Sequence, residues 1–403
     1  MVRGDFSTCT INEAKRLIAK VYEECRSKNL PPPSFIMVGP PGVGKSEGVL
    51  ELGEHLARRL GRKFIVYDDS YFSEIMRDPS QYFVLVDIRL SCHEPSDLTG
   101  IPREVHGESN VIMFKPVTWA IVLSKTAGIL FLDELTNVQR EDLISVAYRV
   151  LLDRYLGYTK LSPDVLIIGA GNRPDDAPIV RQLPAPLVNR CIMLYIEAPT
   201  LEEWAGYMRL RYGSSWCYRV YGFLRTNREY FFKPPPESET LNNFPTPRSW
   251  TRLALVLGSS PTSRYSSREV YKICIGAVGH EVGPMVAKHV LLNVPALDEL
   301  LNNPKRWSSL DLDVKLNFVA DLALYLAENL DNVVKPDSTL DEKVSKLIAV
   351  ILEDSEEIGL TFLQLIPEHA RPRLLTALAI SVPEVGDLVN RLEQKRRELE
   401  KIF

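Results

Sequence analysis

The stretch FIMVGPPGVGKS, residues 35–46, constrains the fold of this chain more than any other. Its apolar start is typical of a buried strand, and the turn that follows is rich in glycine and proline. The turn fits the pattern G-x-x-x-x-G-K-[ST] of phosphate-binding loops. The matching residues are Gly39, Pro40, Pro41, Gly42, Val43, Gly44, Lys45 and Ser46. A helical pattern follows at once, so we predict a strand, a phosphate-binding loop and a helix in that order.

The residue types in this loop suit a nucleotide. Glycines let backbone N–H groups curve around phosphate oxygens, and the following helix presents its positive end to them. Lys45 can reach the β- and γ-phosphates, and the Ser46 hydroxyl can ligate Mg²⁺. The loop therefore predicts a binding site for a nucleotide together with Mg²⁺.

Short apolar runs separated by helical patterns continue to about residue 198. The predicted strands cover residues 35–38, 64–67, 83–90, 129–132, 165–170 and 191–196. Near-continuous apolar strands alternating with helices are what a parallel sheet covered on both faces requires. We therefore predict that residues 1–198 form an α/β domain, a P-loop NTPase sheet with helices on both faces. Beyond it only helical patterns remain, and we divide them into an all-helical lid, 199–295, and a helical C-terminal extension, 296–403.

Charge and cysteine usage exclude several classes of protein. The formal net charge of −4 argues against a protein that coats nucleic acid, although it leaves room for a local basic patch. We find no apolar run long enough to span a bilayer and no secretory segment at the start, so we expect a cytoplasmic protein. The 6 cysteines are scattered without C-x-x-C spacing, which favours reduced thiols over disulfides or zinc.

Two carboxylates follow an apolar run at the end of GILFLDEL. Hydrolysis of a nucleotide bound with Mg²⁺ needs one carboxylate for the metal and a base for the attacking water. Such groups belong at the carboxyl ends of parallel strands. We assign Asp133 to Mg²⁺, with Ser46, and Glu134 to the polarisation of water.

Asn172 follows the next strand, in GAGNRP. Its side-chain amide can hold the attacking water or a γ-phosphate oxygen. Asparagine is also a common turn residue. Both interpretations remain open from the residue pattern alone.

Five motifs in this order resemble those of the AAA+ ATPases, most closely the MoxR-like branch. They are GPPGVGKS, ILFLDE, GAGNRP, LPAPLVNR and TPRSW. The resemblance implies ATP as ligand and a hexameric ring with sites at the subunit interfaces. It identifies Asn172 as sensor 1, Arg190 as the arginine finger of the neighbouring subunit, and Arg248 as sensor 2. Arg190 and Arg248 can also be interpreted as ordinary surface arginines. Arg181 is an alternative candidate for either role.

The distance in sequence between Lys45 and Asp133 is longer than a minimal core needs. The surplus lies in residues 91–116, where MoxR-like proteins resemble one another in an inserted hairpin. We provisionally assign substrate contact to residues 98–105, with 156–160 as a second candidate. A plain surface loop is the alternative for both.

Our leading hypothesis is a ring-forming AAA+ ATPase of MoxR type that remodels or assembles a partner protein. By resemblance, the partner type is a protein with a von Willebrand factor A domain. A nucleic-acid motor or loader is the alternative, against which the acidic pI of about 6.0 counts. An ATP-binding assembly platform with little turnover is the third hypothesis.

Overall fold

The computed structural model describes residues 8–104, 112–173, 183–233 and 243–382, with a few single positions between 386 and 394. The chain divides into two compact units, Met1–Ala198 and Pro199–Phe403. Each unit has its own set of buried side chains, and each is described here by itself.

Strands and helices alternate along the first unit. The strands are β1 (Phe35–Val38), β2 (Lys63–Val66), β3 (Tyr82–Arg89), β4 (Ile101–Glu104), β5 (Ile112–Lys115), β6 (Ala127–Asp133), β7 (Tyr155–Leu156), β8 (Thr159–Lys160), β9 (Val165–Gly171) and β10 (Ile192–Tyr195). The helices are α1 (Ile11–Ser27), α2 (Lys45–Arg59), α3 (Phe72–Arg77), α4 (Pro95–Thr99), α5 (Thr118–Lys125), α6 (Glu141–Asp153) and α7 (Ala185–Val188).

Six of these strands form one parallel sheet in the order β10-β1-β9-β6-β3-β2. The strand that leads into the phosphate-binding loop, β1, lies between β10 and β9, and all four of its residues are buried. Because every strand runs in the same direction, the ends of β1, β3, β6 and β9 share one edge of the sheet. The predicted parallel sheet is confirmed. The remaining strands form two antiparallel hairpins, β4–β5 and β7–β8.

Helices cover both faces of the sheet, as predicted. On one face Tyr22 of α1 packs edge-on against Phe83 of β3, with ring centroids 6.4 Å apart. On the other face Val84 and Leu130 join a core with Val122 of α5 and Ala147 of α6. A strand buried on both faces must be apolar at every position, which explains the unbroken apolar runs of the sequence.

The second unit is helical, as predicted. Its helices are α8 (Leu201–Tyr212), α9 (Tyr218–Thr226), α10 (Pro247–Leu257), α11 (Pro261–Arg264), α12 (Ser267–Val290), α13 (Leu297–Asn302), α14 (Leu312–Glu328), α15 (Leu330–Val333), α16 (Glu342–Asp354), α17 (Glu356–Leu365) and α18 (Arg371–Ser381). One apolar core runs from Leu201 to Val389. The proposed division at residue 295 stays a prediction. None of the described helices is long and apolar enough to cross a membrane.

Candidate nucleotide site

The loop between β1 and α2 is held close to the ends of its neighbouring strands. The N–H of Gly39 donates to the carbonyl oxygen of Gly171 at the end of β9, at 3.2 Å. A Cβ at Gly39 would lie 2.3 Å from the carbonyl oxygen of Ile196, so only glycine fits there. Gly42 and Gly44 have φ angles of 80° and 97°, in the left-handed region. The sequence thus places glycine where the backbone must turn back to begin α2.

Lys45, at the start of α2, folds its side chain back into the loop. Its Nζ donates to the carbonyl oxygens of Gly39 at 2.7 Å and Pro40 at 2.8 Å. It also donates to Oδ1 of Asn172, at 3.3 Å. Only 8% of Lys45 is exposed, and a buried ammonium needs such acceptors. Two residues predicted for the site, which are 127 positions apart, are therefore in contact.

Ser46 and Asp133 form the second contact between the loop and the sheet. The hydroxyl of Ser46 donates to Oδ2 of Asp133 at the end of β6, at 2.9 Å. The other carboxylate oxygen accepts the backbone N–H of Glu134, at 2.8 Å. A hydroxyl and a carboxylate are hard oxygen donors of the kind that Mg²⁺ prefers. The pair therefore fits the metal role that the sequence predicts for it.

Glu134 follows Asp133 in a left-handed conformation, with φ of 59°. Its side chain accepts a hydrogen bond from the hydroxyl of Ser91, and Nε of Arg89 lies 3.6 Å from its Oε1. We did not predict Ser91 or Arg89 as site residues. Arg89 ends β3 directly opposite Asp133 in the sheet register, so the order of the strands brings it here. The apolar run of β3 was visible in the sequence, but its place beside β6 was not.

Asn172 lies just beyond the end of β9, and a second residue positions its backbone. Its N–H donates to Oγ1 of Thr136, at 2.8 Å. Thr136 is buried, and a Cβ at Gly171 would lie 2.5 Å from its side-chain atoms. The amide of Asn172 faces Lys45, which the turn interpretation alone does not explain. Sequence reasoning missed Thr136, because a single threonine shortly after Asp-Glu belongs to no motif that would indicate a site residue.

Negative charge is concentrated at this edge of the sheet. Desolvation raises the pKa of Asp87 on β3, and the nearby charge of Asp133 raises it further. Arg89 lowers the pKa of Asp87 in part. Carboxylates that repel one another in this way favour a bound cation.

The arginines predicted for the site lie in different parts of the chain. Arg190 follows α7, is exposed, and has no ion-pair partner in the described part of the chain. Arg248 is the second residue of α10 in the other unit and is also exposed. Arg181 lies outside the described residues. The structure thus places Arg190 on the surface of the first unit, with its guanidinium available.

The two predicted substrate loops are not plain loops. Residues 98–105 include the end of α4, with Leu98 buried, and the whole of β4, while Val105 lies outside the described residues. Residues 156–160 form most of the β7–β8 hairpin. The hairpins meet where the rings of Phe114 and Tyr158 pack 5.0 Å apart.

Comparison with known proteins gives a family match for the first unit. Residues 35–195 match the model of the ATPase family associated with various cellular activities (AAA). No curated protein sequence matches the chain.

Among solved structures, the chain is similar to Thermotoga maritima RuvB, a Holliday junction branch migration motor. The identity is 16%, the coverage is 78% of this chain and 75% of RuvB, and the TM-score is 0.32. A Cytophaga hutchinsonii protein described as a candidate ATPase is 12% identical, with coverage of 94% and 88% and a TM-score of 0.30. The family match covers the phosphate-binding loop, both carboxylates and Asn172, and the chain therefore contains an AAA family domain over residues 35–195.

Proposed function

We propose that this chain is a ring-forming AAA+ ATPase of MoxR type that uses ATP hydrolysis to remodel or assemble a partner protein. One observation carries the proposal. The ends of β1, β6 and β9 bring Lys45, Ser46, Asp133, Glu134 and Asn172 together at one edge of the sheet. These residues supply a phosphate ligand, a metal site, a base and a polar orienting group, which are the parts that hydrolysis of ATP requires.

Each residue has a distinct task in this proposal. Lys45 exchanges the carbonyl oxygens of Gly39 and Pro40 for phosphate oxygens when ATP enters. Ser46 and Asp133 hold Mg²⁺, which neutralises charge on the phosphates when bound. Glu134 accepts the proton of the attacking water, and Asn172 orients that water or the γ-phosphate.

The exposed guanidinium of Arg190 supports the ring. An arginine finger must be free to reach the site of a neighbouring subunit, and its contribution to such sites is about 10³–10⁵-fold in rate. A head-to-tail contact that closes on itself produces a ring. We further propose a hexamer, Arg248 as sensor 2, and a partner with a von Willebrand factor A domain.

The test is the variant Glu134→Gln. It should bind ATP as the wild type does, because the side chain keeps its size and its contact with Ser91. Its turnover should fall by about 10²–10⁴-fold, since the base is lost. The measurements are release of phosphate and equilibrium binding of a fluorescent ATP analogue.

Glu24→Gln is the matched control, because Glu24 is an exposed glutamate of α1 whose ion pair is with Lys28. It should leave turnover unchanged. Wild-type turnover in Glu134→Gln would overturn the assignment of the base. Loss of ATP binding in that variant would show that Glu134 supports the loop instead.

A further inference from the structure

One face of the β4–β5 hairpin carries two apolar and two basic side chains. In the antiparallel register Ile101 lies opposite Lys115, and Arg103 lies opposite Met113. Directly opposite residues of such a pair project to the same side, as do residues two apart along a strand. Ile101, Arg103, Met113 and Lys115 therefore share one side, which we call the basic apolar face.

All four side chains of the basic apolar face are exposed. Ile101 is 53% exposed and Met113 is 63% exposed, which is unusual for large apolar residues on adjacent strands. Neither Arg103 nor Lys115 forms an ion pair or a hydrogen bond through its side chain within the described ranges. The face thus offers two uncompensated positive charges beside apolar surface that stays in water.

We propose that the basic apolar face binds an extended polypeptide segment in which apolar and acidic residues alternate at every second position, so that both kinds of side chain lie on the side that faces the hairpin. The inference rests on the proposed function in that the occupant is a protein. Carboxylates of the segment would pair with Arg103 and Lys115, and Arg103 can hold a carboxylate through two parallel hydrogen bonds. Apolar side chains of the segment would remove Ile101 and Met113 from water.

The composition of the face favours a polypeptide over a nucleic acid. A phosphate backbone would neutralise Arg103 and Lys115 but would leave Ile101 and Met113 exposed. Single strands also use aromatic rings on which bases stack, and this face has none. The aromatic residue of the hairpin, Phe114, lies on the opposite face and packs against Tyr158.

The experiment measures binding of labelled probes to the full chain by fluorescence anisotropy, without nucleotide. The probes are a short peptide that repeats leucine-serine-glutamate-serine, the same peptide with glutamine for glutamate, and single-stranded DNA. In the first peptide, leucine and glutamate project to the same side of the extended chain. The acidic peptide should bind about tenfold more tightly than the glutamine peptide, and its affinity should fall with salt. The double variant Arg103→Glu, Lys115→Glu should lose this preference.

Two further variants keep the test decisive. Lys20→Glu with Arg58→Glu places the same charges on exposed positions of α1 and α2 and should not change binding. Ile101→Ser with Met113→Ser should weaken both peptides equally while the preference for the acidic one remains.

The inference is wrong if charge reversal on the hairpin leaves peptide binding unchanged, or if DNA binds this face more tightly than the acidic peptide. Phosphate release is measured separately on the same proteins. A chain that binds the acidic peptide but does not hydrolyse ATP would contradict the proposed function and leave this inference intact.

Discussion

Lys45 makes contacts in this structure that ATP would have to replace. Its ammonium is satisfied by two carbonyl oxygens of its own loop and by Asn172. A buried charge without acceptors would cost several kcal/mol, so these contacts stabilise the loop without a ligand. Because phosphate oxygens carry full negative charge, they compete well for the same ammonium. The loop is thus already folded around the position that a phosphate would occupy.

Thr136→Val tests how Asn172 is positioned. The substitution keeps the volume of the side chain but removes the oxygen that accepts the N–H of Asn172. We expect a loss of about 1–3 kcal/mol in the free energy of unfolding, because a half-buried N–H is left unpaired. Turnover should fall about tenfold as Asn172 shifts. Denaturant unfolding and phosphate release measure the two effects.

Thr136→Ser is the control for that variant, since it retains the hydroxyl and loses only a methyl group. It should keep most of the turnover. Equal losses in the two variants would mean that packing at Thr136, and not its hydrogen bond, matters for the site.

At the scale of elements, the conformation of the loop between β1 and α2 depends on its close contact with the residue that follows β10. The Gly39 backbone lies against the carbonyl of Ile196, which follows β10, while Gly44 precedes α2 in a left-handed conformation with open space around it. The first glycine is required by a neighbouring chain segment, and the second by its own dihedral angle. Glycine therefore serves two different purposes within one motif.

Gly39→Ala should move the loop away from the sheet edge. Its methyl group would clash with backbone, which cannot rotate away, so we expect ATP binding to be lost and unfolding to become easier by about 2–4 kcal/mol. Gly61→Ala is the control, because Gly61 has φ of 64° and no neighbouring atom within 4 Å of its Cβ. That variant should lose only about 1 kcal/mol and keep ATP binding. Normal ATP affinity in Gly39→Ala would contradict this account of the loop.

At the scale of the whole molecule, the proposed ring predicts a property that one chain alone would not have. Arg190→Ala, mixed in increasing proportion with wild type, should reduce turnover more steeply than the wild-type fraction falls. Each variant subunit would disable the site of its neighbour and interrupt any coupling around the ring. Phosphate release across the mixing series measures the effect.

A loss strictly proportional to the variant fraction would place Arg190 outside the neighbouring site. Arg149→Ala is a suitable control, because Arg149 is a cation of the same unit that lies over the rings of Tyr155 and Tyr158. Mixing that variant should not produce a steeper loss.

The helical unit should lose stability in mild acid through one histidine. Burial lowers the pKa of His289 to about 4, against the opposing effect of Asp313, and Arg219 lowers it further. In the unfolded chain the pKa is about 6.5, so the unfolded state binds a proton first as the pH falls. The stability present above pH 6.5 is therefore lost progressively down to about pH 4, by roughly 3 kcal/mol.

Urea unfolding followed by tryptophan fluorescence from pH 7 to pH 4 measures this loss. Four of the 5 tryptophans lie after residue 198, so the emission reports mainly on the helical unit. His289→Gln should remove most of the pH dependence in this window. An unchanged pH dependence in that variant would assign it to carboxylates.

The sequence by itself determined the class of the fold and the most local part of the site. Unbroken apolar runs are the consequence of strands buried on both faces, so the parallel sheet was predictable. The phosphate-binding loop was predictable because its residues are contiguous and because its glycines, lysine and serine form a recognisable sequence pattern. The helical nature of the second unit followed from 3.6-residue periodicity in the same way.

Only the tertiary structure decided which distant residues meet. Asp133 and Glu134 could be predicted as site residues because they follow an obvious apolar run. Ser91, Arg89 and Thr136 carry no such signal, and their contacts with predicted site residues depend on strand order. The register that sets Arg89 opposite Asp133 joins segments 44 positions apart, and no local pattern encodes it. The basic apolar face also depends on tertiary structure, because its four residues form one surface only after β4 and β5 pair. A contiguous motif such as the phosphate-binding loop can be recognised from neighbouring residues. Which distant side chains meet at one edge depends on how the whole sheet packs.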